Sequence, residues 1–135
     1  MKVVKAVGTD LVEVARIARA LERYQERFKD RLFSDEERTY CDAKKTPAVH
    51  YAGRFAAKEA VIKVLGAGFT AGIALTAGGS FREVVVERQS SGQPLIRLEG
   101  QLAAMAVERG ISEIMISITH THQQAMAFAI GQGPA

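Results

Sequence analysis

Tryptophan is absent from the 135 residues, cysteine occurs once, and proline and tyrosine occur three times each. One thiol, Cys41, excludes an internal disulfide and a multi-cysteine zinc site, so a reducing, cytoplasmic setting is expected. No apolar run approaches the roughly 18 to 20 residues of a membrane span. The opening Met1-Lys2-Val3-Val4-Lys5 lacks the apolar core of a secretory signal. No membrane partner is therefore expected. Sparse aromatics argue against base stacking, and a surplus of only +3 does not mark a nucleic-acid binder. The chain also lacks repeats, low-complexity tracts and any linker that would divide it. What is present is 47% hydrophobic residues, enough for one compact domain over 1–135 with its own core.

Periodicity predicts the order β-α-α-α-β-β-α-β-β. Val3 to Gly8 reads as a strand and Leu11 to Asp30 as a helix. Ser34-Asp35-Glu36-Glu37 is a capping box, with Ser34 over an orphan backbone donor and Glu37 reaching back. Thr46-Pro47 starts the next helix, a capping hydroxyl before a proline, and Gly66 ends it after Leu65. Glycines 66, 68, 72, 78 and 79 make Gly66 to Ser80 a long loop. Phe81 to Arg88 and Leu95 to Leu98 read as strands joined by the turn-forming Ser90-Ser91-Gly92-Gln93-Pro94. Gly100 to Arg109 is helical. Glu113 to Thr119 and Ala125 to Ile130 are strand-like. Late strands in hairpin pairs predict an α+β domain, an antiparallel sheet packed against helices.

On a helical wheel over Leu11 to Asp30, Val14, Ile17, Leu21, Tyr24 and Phe28 form a core stripe about 80° wide. Arg16, Arg19, Arg23 and Arg27 form a second stripe of similar width on another face. Such a stripe is either an ordinary solvated surface, part-neutralised by Glu26 and Asp30, or a docking strip for an acidic partner. Helix 47–65 is apolar around most of its circumference, yet carries Arg54, Lys58, Glu59 and Lys63. Isolated charges are costly to bury. Either salt bridges absorb them, or Glu59 is a metal ligand and the basic residues hold phosphates.

Gly66-Ala67-Gly68 with Gly72 is no nucleotide loop, because these glycines follow a helix and face its negative end. Any phosphate bound here needs side-chain cations such as Arg54, Lys58 and Lys63. His120 and His122 share a strand face but lack a third ligand, too little for zinc. Asp10 and Glu13 flank a strand-to-helix junction, where capping by Asp10 is the ordinary explanation. No G-x-S-x-G elbow is present, and Cys41 has no nucleophile context.

Three segments taken together are more specific than their parts. They are Val7-Gly8-Thr9-Asp10-Leu11-Val12-Glu13-Val14, Arg54-Phe55-Ala56-Ala57-Lys58-Glu59-Ala60-Val61-Ile62-Lys63, and Ile116-Ser117-Ile118-Thr119-His120-Thr121. In this order the chain closely resembles the holo-[acyl-carrier-protein] synthases, small bacterial 4′-phosphopantetheinyl transferases, across essentially its whole length. The resemblance implies transfer of the phosphopantetheine arm of coenzyme A to a serine of apo-acyl carrier protein, in support of fatty acid biosynthesis. It also implies release of adenosine 3′,5′-bisphosphate, and a Mg²⁺ ion held by Asp10 and Glu59. Lys63 would reach the phosphates, Arg54, Lys58 and His120 would contact the coenzyme, and Glu59 or a water it orients would take the serine proton. Glu13 is a weaker candidate for that base. Arg16, Arg19, Arg23 and Arg27 would dock the acidic carrier. A homotrimer with sites between subunits is implied as well.

Departures from the pattern are a long 66–80 segment, Phe81 where tryptophan is common, and Ser34 where threonine is common. Val12 stands where longer relatives place a second acidic ligand. Two other classes compete: a metal-dependent nucleotide phosphohydrolase, with water as acceptor, and a non-catalytic module binding acidic partners through its arginines.

Overall fold

The computed structural model describes residues 1–66 and 80–135, and the structural statements below refer to these. Strand β1 (Lys2–Glu13) leads into α1 (Val14–Tyr24), α2 (Glu26–Leu32), α3 (Asp35–Asp42) and the long α4 (Pro47–Val64). A single turn, α5 (Ser80–Glu83), precedes the hairpin β2 (Val84–Arg88) and β3 (Pro94–Leu98). Helix α6 (Gly100–Glu108) and the strands β4 (Glu113–His120) and β5 (Gln124–Pro134) complete the chain. The α+β class holds: β1, β5 and β4 form one antiparallel sheet in that order, and β2 and β3 form another. No helix among the described residues is long and apolar enough to cross a membrane.

Helix α4 lies against the three-stranded sheet and is almost wholly buried. Alternation along β5 turns Ala125, Ala127 and Ala129 inward, each fully buried, and these short side chains let the helix come close. Phe33 and Tyr51 meet edge-to-face at 4.9 Å, while Phe55 stacks on Phe81 at 5.3 Å. The helix stops as expected, with Leu65 at its C-cap and Gly66 at φ +76°, a conformation glycine takes without Cβ strain.

Several expectations need correction. Leu11 and Val12 do not open a helix, because they pair with Met126 and Ala125 and extend β1 to Glu13. The predicted Leu11–Asp30 helix is also broken at Gln25, whose φ of 49° separates α1 from α2. Tyr24, the last residue of α1, is 45% exposed instead of core, whereas Phe28 beyond the break still packs against the core. Arg27 lies beyond the break, so only Arg16, Arg19 and Arg23 share a continuous helical face. Thr46 makes no side-chain capping bond, although Pro47 does occupy the first turn. Phe81 to Glu83 form a helical turn, and the strand begins at Val84. The loop expected over 66–80 lies, at 67–79, outside the described residues.

The capping box at Ser34 is present in both directions. Glu37 N–H donates to Ser34 Oγ at 3.2 Å, and Ser34 N–H donates to Glu37 Oε1 at 2.8 Å. Glu37 does more than cap. Its Oε2 accepts from the Val86 N–H at 2.7 Å, and its Oε1 pairs with Lys58 Nζ at 2.8 Å. The same ammonium donates to the carbonyls of Phe81 (2.8 Å) and Val84 (2.6 Å). Burial pushes the Lys58 pKa below the ordinary lysine value, and the Glu37 charge opposes this. Three acceptors around one nitrogen match the three N–H bonds of the charged form. Both side chains are fully buried, and together they tie α3, α4, α5 and β2 to one point.

This geometry corrects the assignment of Lys58 as a coenzyme contact, since its donors are all engaged inside the core. Lys58→Met should leave a carboxylate buried without its counter-ion and lower stability by about 3–5 kcal/mol. Paired with Glu37→Gln in a double-mutant cycle, the two losses should be strongly non-additive. Denaturant unfolding measures both, and additive losses would contradict the shared network.

Candidate active site between strand β1 and helix α4

Period-two alternation places Gly8, Asp10 and Val12 on the side of β1 that faces α4. Gly8 is the point of closest approach. A Cβ there would lie 2.1 Å from the Ala60 carbonyl oxygen, so only glycine lets the strand settle on the helix. One residue before Ala60 stands Glu59, and two residues after Gly8 stands Asp10. The close approach therefore brings two carboxylates from distant parts of the chain to the same edge. Asp10 is not a helix cap, because β1 continues past it.

Lys63, one turn after Glu59, leans across to the strand. Its Nζ donates to the Thr9 carbonyl at 2.9 Å and lies 3.5 Å from Asp10 Oδ1. Glu59 makes no salt bridge among the described residues. Salt bridges do absorb two of the α4 charges: Lys63 pairs with Asp10 of the strand and Lys58 with Glu37 of α3. Desolvation raises the pKa of Asp10, against the pull of Lys63 and then Arg16. Desolvation also raises that of Glu59, and the neighbouring Asp10 charge adds to it. Two half-buried carboxylates that repel each other are a place for a cation.

No cluster of three or more His, Cys, Asp or Glu suited to a metal occurs among the described residues. Val12 is 2% exposed and turned into the core, so it adds no ligand between Asp10 and Glu13. Glu13 accepts from Gln124 Nε2 at 2.9 Å across the end of β1 and β5. That bond engages the weaker of the candidate bases in holding the strand end.

Arg16, Arg19 and Arg23 are exposed along α1. Glu26 and Asp30 do not neutralise them, because both bind Arg38 of α3. The Arg16 guanidinium lies 5.6 Å from the Phe55 ring centroid, and its charge opposes the rise of the Asp10 and Glu59 pKa values.

A second basic group was not expected from the sequence. Arg54, 7% exposed, lies 4.3 Å from the Tyr40 ring, with Lys44 at 4.5 Å and Arg88 at 4.8 Å. His50 packs edge-on against Tyr40 at 5.9 Å and against His120 at 5.7 Å. Buried Arg54 Nε has no hydrogen-bond partner among the described residues. Of these groups, spacing and motif singled out only Arg54 and His120. Helical spacing relates Tyr40 to Lys44 and His50 to Arg54, but nothing in the sequence joins the two pairs to each other or to Arg88 and His120.

A half-buried carboxylate pair with an adjoining lysine suits a cation, and the separate cluster of cations around Tyr40 suits an anionic ligand. The chain belongs to the 4′-phosphopantetheinyl transferase superfamily, whose model matches residues 6–129. Within it, the chain is 42% identical over 129 residues to a holo-[acyl-carrier-protein] synthase of Desulforudis audaxviator, covering 96% of this chain and 93% of that one. A holo-ACP synthase structure from Plasmodium yoelii superposes with a TM-score of 0.82 at 25% identity, over 100% of this chain and 99% of that one. An ACPS–CoA complex from Chronobacterium ammoniagenes gives 0.80 at 30% identity, over 96% and 98%.

Proposed function

We propose that this chain, acting as one domain over residues 1–135, transfers the 4′-phosphopantetheine group of coenzyme A to a serine of apo-acyl carrier protein. Adenosine 3′,5′-bisphosphate is released, and the holo-carrier serves fatty acid biosynthesis. The observation that carries this reading is Glu59. It is a half-buried carboxylate without a salt-bridge partner among the described residues, set beside Asp10 and one turn from Lys63. Family membership and the relatives' shared name support the same reaction.

The donor set suits Mg²⁺. This ion takes oxygen ligands, keeps several waters, and commonly uses one or two carboxylates together with substrate phosphates. Asp10 and Glu59 would hold it, and when bound it supplies counter-charge for the pyrophosphate of the coenzyme. Lys63 spends two donors on Thr9 and Asp10, which leaves a third for a phosphate oxygen. Arg54 and His120 bind the coenzyme from the side of the Tyr40 cluster. The serine oxygen attacks the β-phosphorus, and the bond to the leaving adenosine bisphosphate breaks with its electron pair. Glu59 receives the serine proton directly or through one water it orients. Catalysis of this kind rests on positioning and charge neutralisation.

The acidic carrier docks on the exposed arginines of α1, Arg16 being nearest the carboxylates, with Arg27 extending the basic surface onto α2. Assembly as a homotrimer, with each coenzyme between two subunits, is supported by the outer face of the three-stranded sheet. Val7, Leu11, Met115, Met126 and Phe128 leave it 38–59% exposed, an apolar surface that a second copy would cover. A buried thiol and the lack of a membrane-crossing helix among the described residues agree with a cytoplasmic enzyme.

Incubation with coenzyme A, Mg²⁺ and apo-acyl carrier protein should add one phosphopantetheine to the carrier by intact mass. Asp10→Ala and Glu59→Ala should each lower the rate by about a hundredfold or more with the circular dichroism spectrum unchanged. Chelation by EDTA should do the same to the wild type and be reversed by Mg²⁺. Normal turnover by either variant would refute the assignment. In light scattering the wild type should weigh about three times its 14.6 kDa chain mass, and Phe128→Asp should reduce that mass. A fully active monomer would contradict the interfacial site. Reversing Arg16 and Arg23 to glutamate should raise the KM for carrier protein several-fold at low salt, with the KM for coenzyme A little changed. Unaltered carrier kinetics at low salt would leave this face an ordinary solvated surface.

A further inference from the structure

The cluster around Tyr40 contains one titratable residue with no role so far. His50 sits near the start of α4, half-buried, and the charged or titratable groups acting on it come from four other parts of the fold as well as its own helix. Tyr40 faces it from α3, Lys44 from the α3–α4 connection, Arg88 from the end of β2 and His120 from the end of β4. Arg54 lies one turn further along its own helix. No carboxylate is among these groups, and none pairs with Lys44, Arg54 or Arg88 among the described residues. Burial, then the His120, Lys44, Arg54 and Arg88 charges, holds the His50 imidazole below the ordinary histidine range.

Such a cluster is short of negative charge. Three cations converge within 4.8 Å of one ring centroid, and buried Arg54 Nε has a donor without an acceptor. A phosphate entering here would satisfy that donor and reverse the field at His50. We propose that His50 is a further coenzyme-contacting residue, which takes up a proton as a phosphate group of coenzyme A binds among Lys44, Arg54, Arg88 and His120. This rests on the reading of the protein as a coenzyme A-dependent transferase. The proton comes from solvent, and the imidazolium N–H donates to a phosphate oxygen; no covalent bond changes.

The sign follows from linkage. The coenzyme-bound state holds more protons than the free state between the free and bound pKa values of His50, so this residue strengthens binding as pH falls through that window. A phenylalanine at position 50 would keep an aromatic ring against Tyr40 and His120 but could not titrate.

The test is an NMR titration of the histidine Cε1–H signals in the wild-type protein, with and without saturating coenzyme A and Mg²⁺; His50→Phe identifies the His50 signal. Saturation with coenzyme A should raise the His50 pKa by about one unit or more, a tenfold gain in proton affinity. Calorimetry near pH 7 in buffers of different ionisation enthalpy should show less proton uptake in His50→Phe than in wild type. A His50 titration that coenzyme A leaves unmoved would overturn the proposal, as would equal proton uptake in the two proteins. Coenzyme A that binds in calorimetry without moving His50 refutes this inference alone. Absence of any coenzyme binding refutes it together with the function on which it rests.

Discussion

With no side chain at Gly8, strand β1 lies directly on the backbone of α4, and the geometry of the proposed site follows from that contact. An added Cβ would meet the Ala60 carbonyl, a backbone atom inside a buried helix that cannot swing aside. The pleat then turns Asp10 toward the same helix, and the helical turn brings Lys63 to the strand. Tight packing and chemistry are joined here: the burial that holds strand on helix also desolvates both carboxylates and raises their pKa values. A bound cation would relieve what the fold has imposed.

Another side of α4 is held by a different force. Lys58 and Glu37 place a full ion pair inside the core, where an unsatisfied charge costs several kcal/mol. The fold meets that cost by completing every donor of the ammonium and using both carboxylate oxygens. This fixes α3 and the start of β2 against the helix. Tyr40 and Arg88 belong to those same elements, so the pair also sets the frame in which the cations converge on Tyr40. Apolar residues could supply cohesion there, but not the directional bonds that set one arrangement of four elements.

The surface carries its charge in the same organised way. Negative charge gathers at the edge between β1 and α4, and positive charge lies around Tyr40 and along α1. Arg38 binds Glu26 and Asp30, leaving the α1 arginines unneutralised by them. A polyanionic coenzyme and an acidic protein would therefore each find a separate basic surface, with the carboxylates and Lys63 as the remaining feature of the site.

Local signals in the chain were enough for much of the architecture. The capping box at Ser34, the glycine after Leu65 and the alternation in the last two strands depend only on near neighbours, and all appear in the folded protein. The family segments likewise single out Asp10, Glu59 and Lys63, because their residue types and spacing lie within short stretches. Sequence alone could not say which charge meets which. Lys58 and Lys63 look equivalent on one helix, yet one completes a core ion pair and the other reaches Asp10. Pairing with β5 overrode the helical pattern at Leu11 and Val12, and the break at Gln25 took Arg27 off the α1 stripe. Lys44 lies four residues from Tyr40 and His50 four from Arg54, but the meeting of these pairs with each other, with Arg88 and with His120 was decided by tertiary structure. The full gathering exists only after strands and helices from opposite ends of the chain have packed.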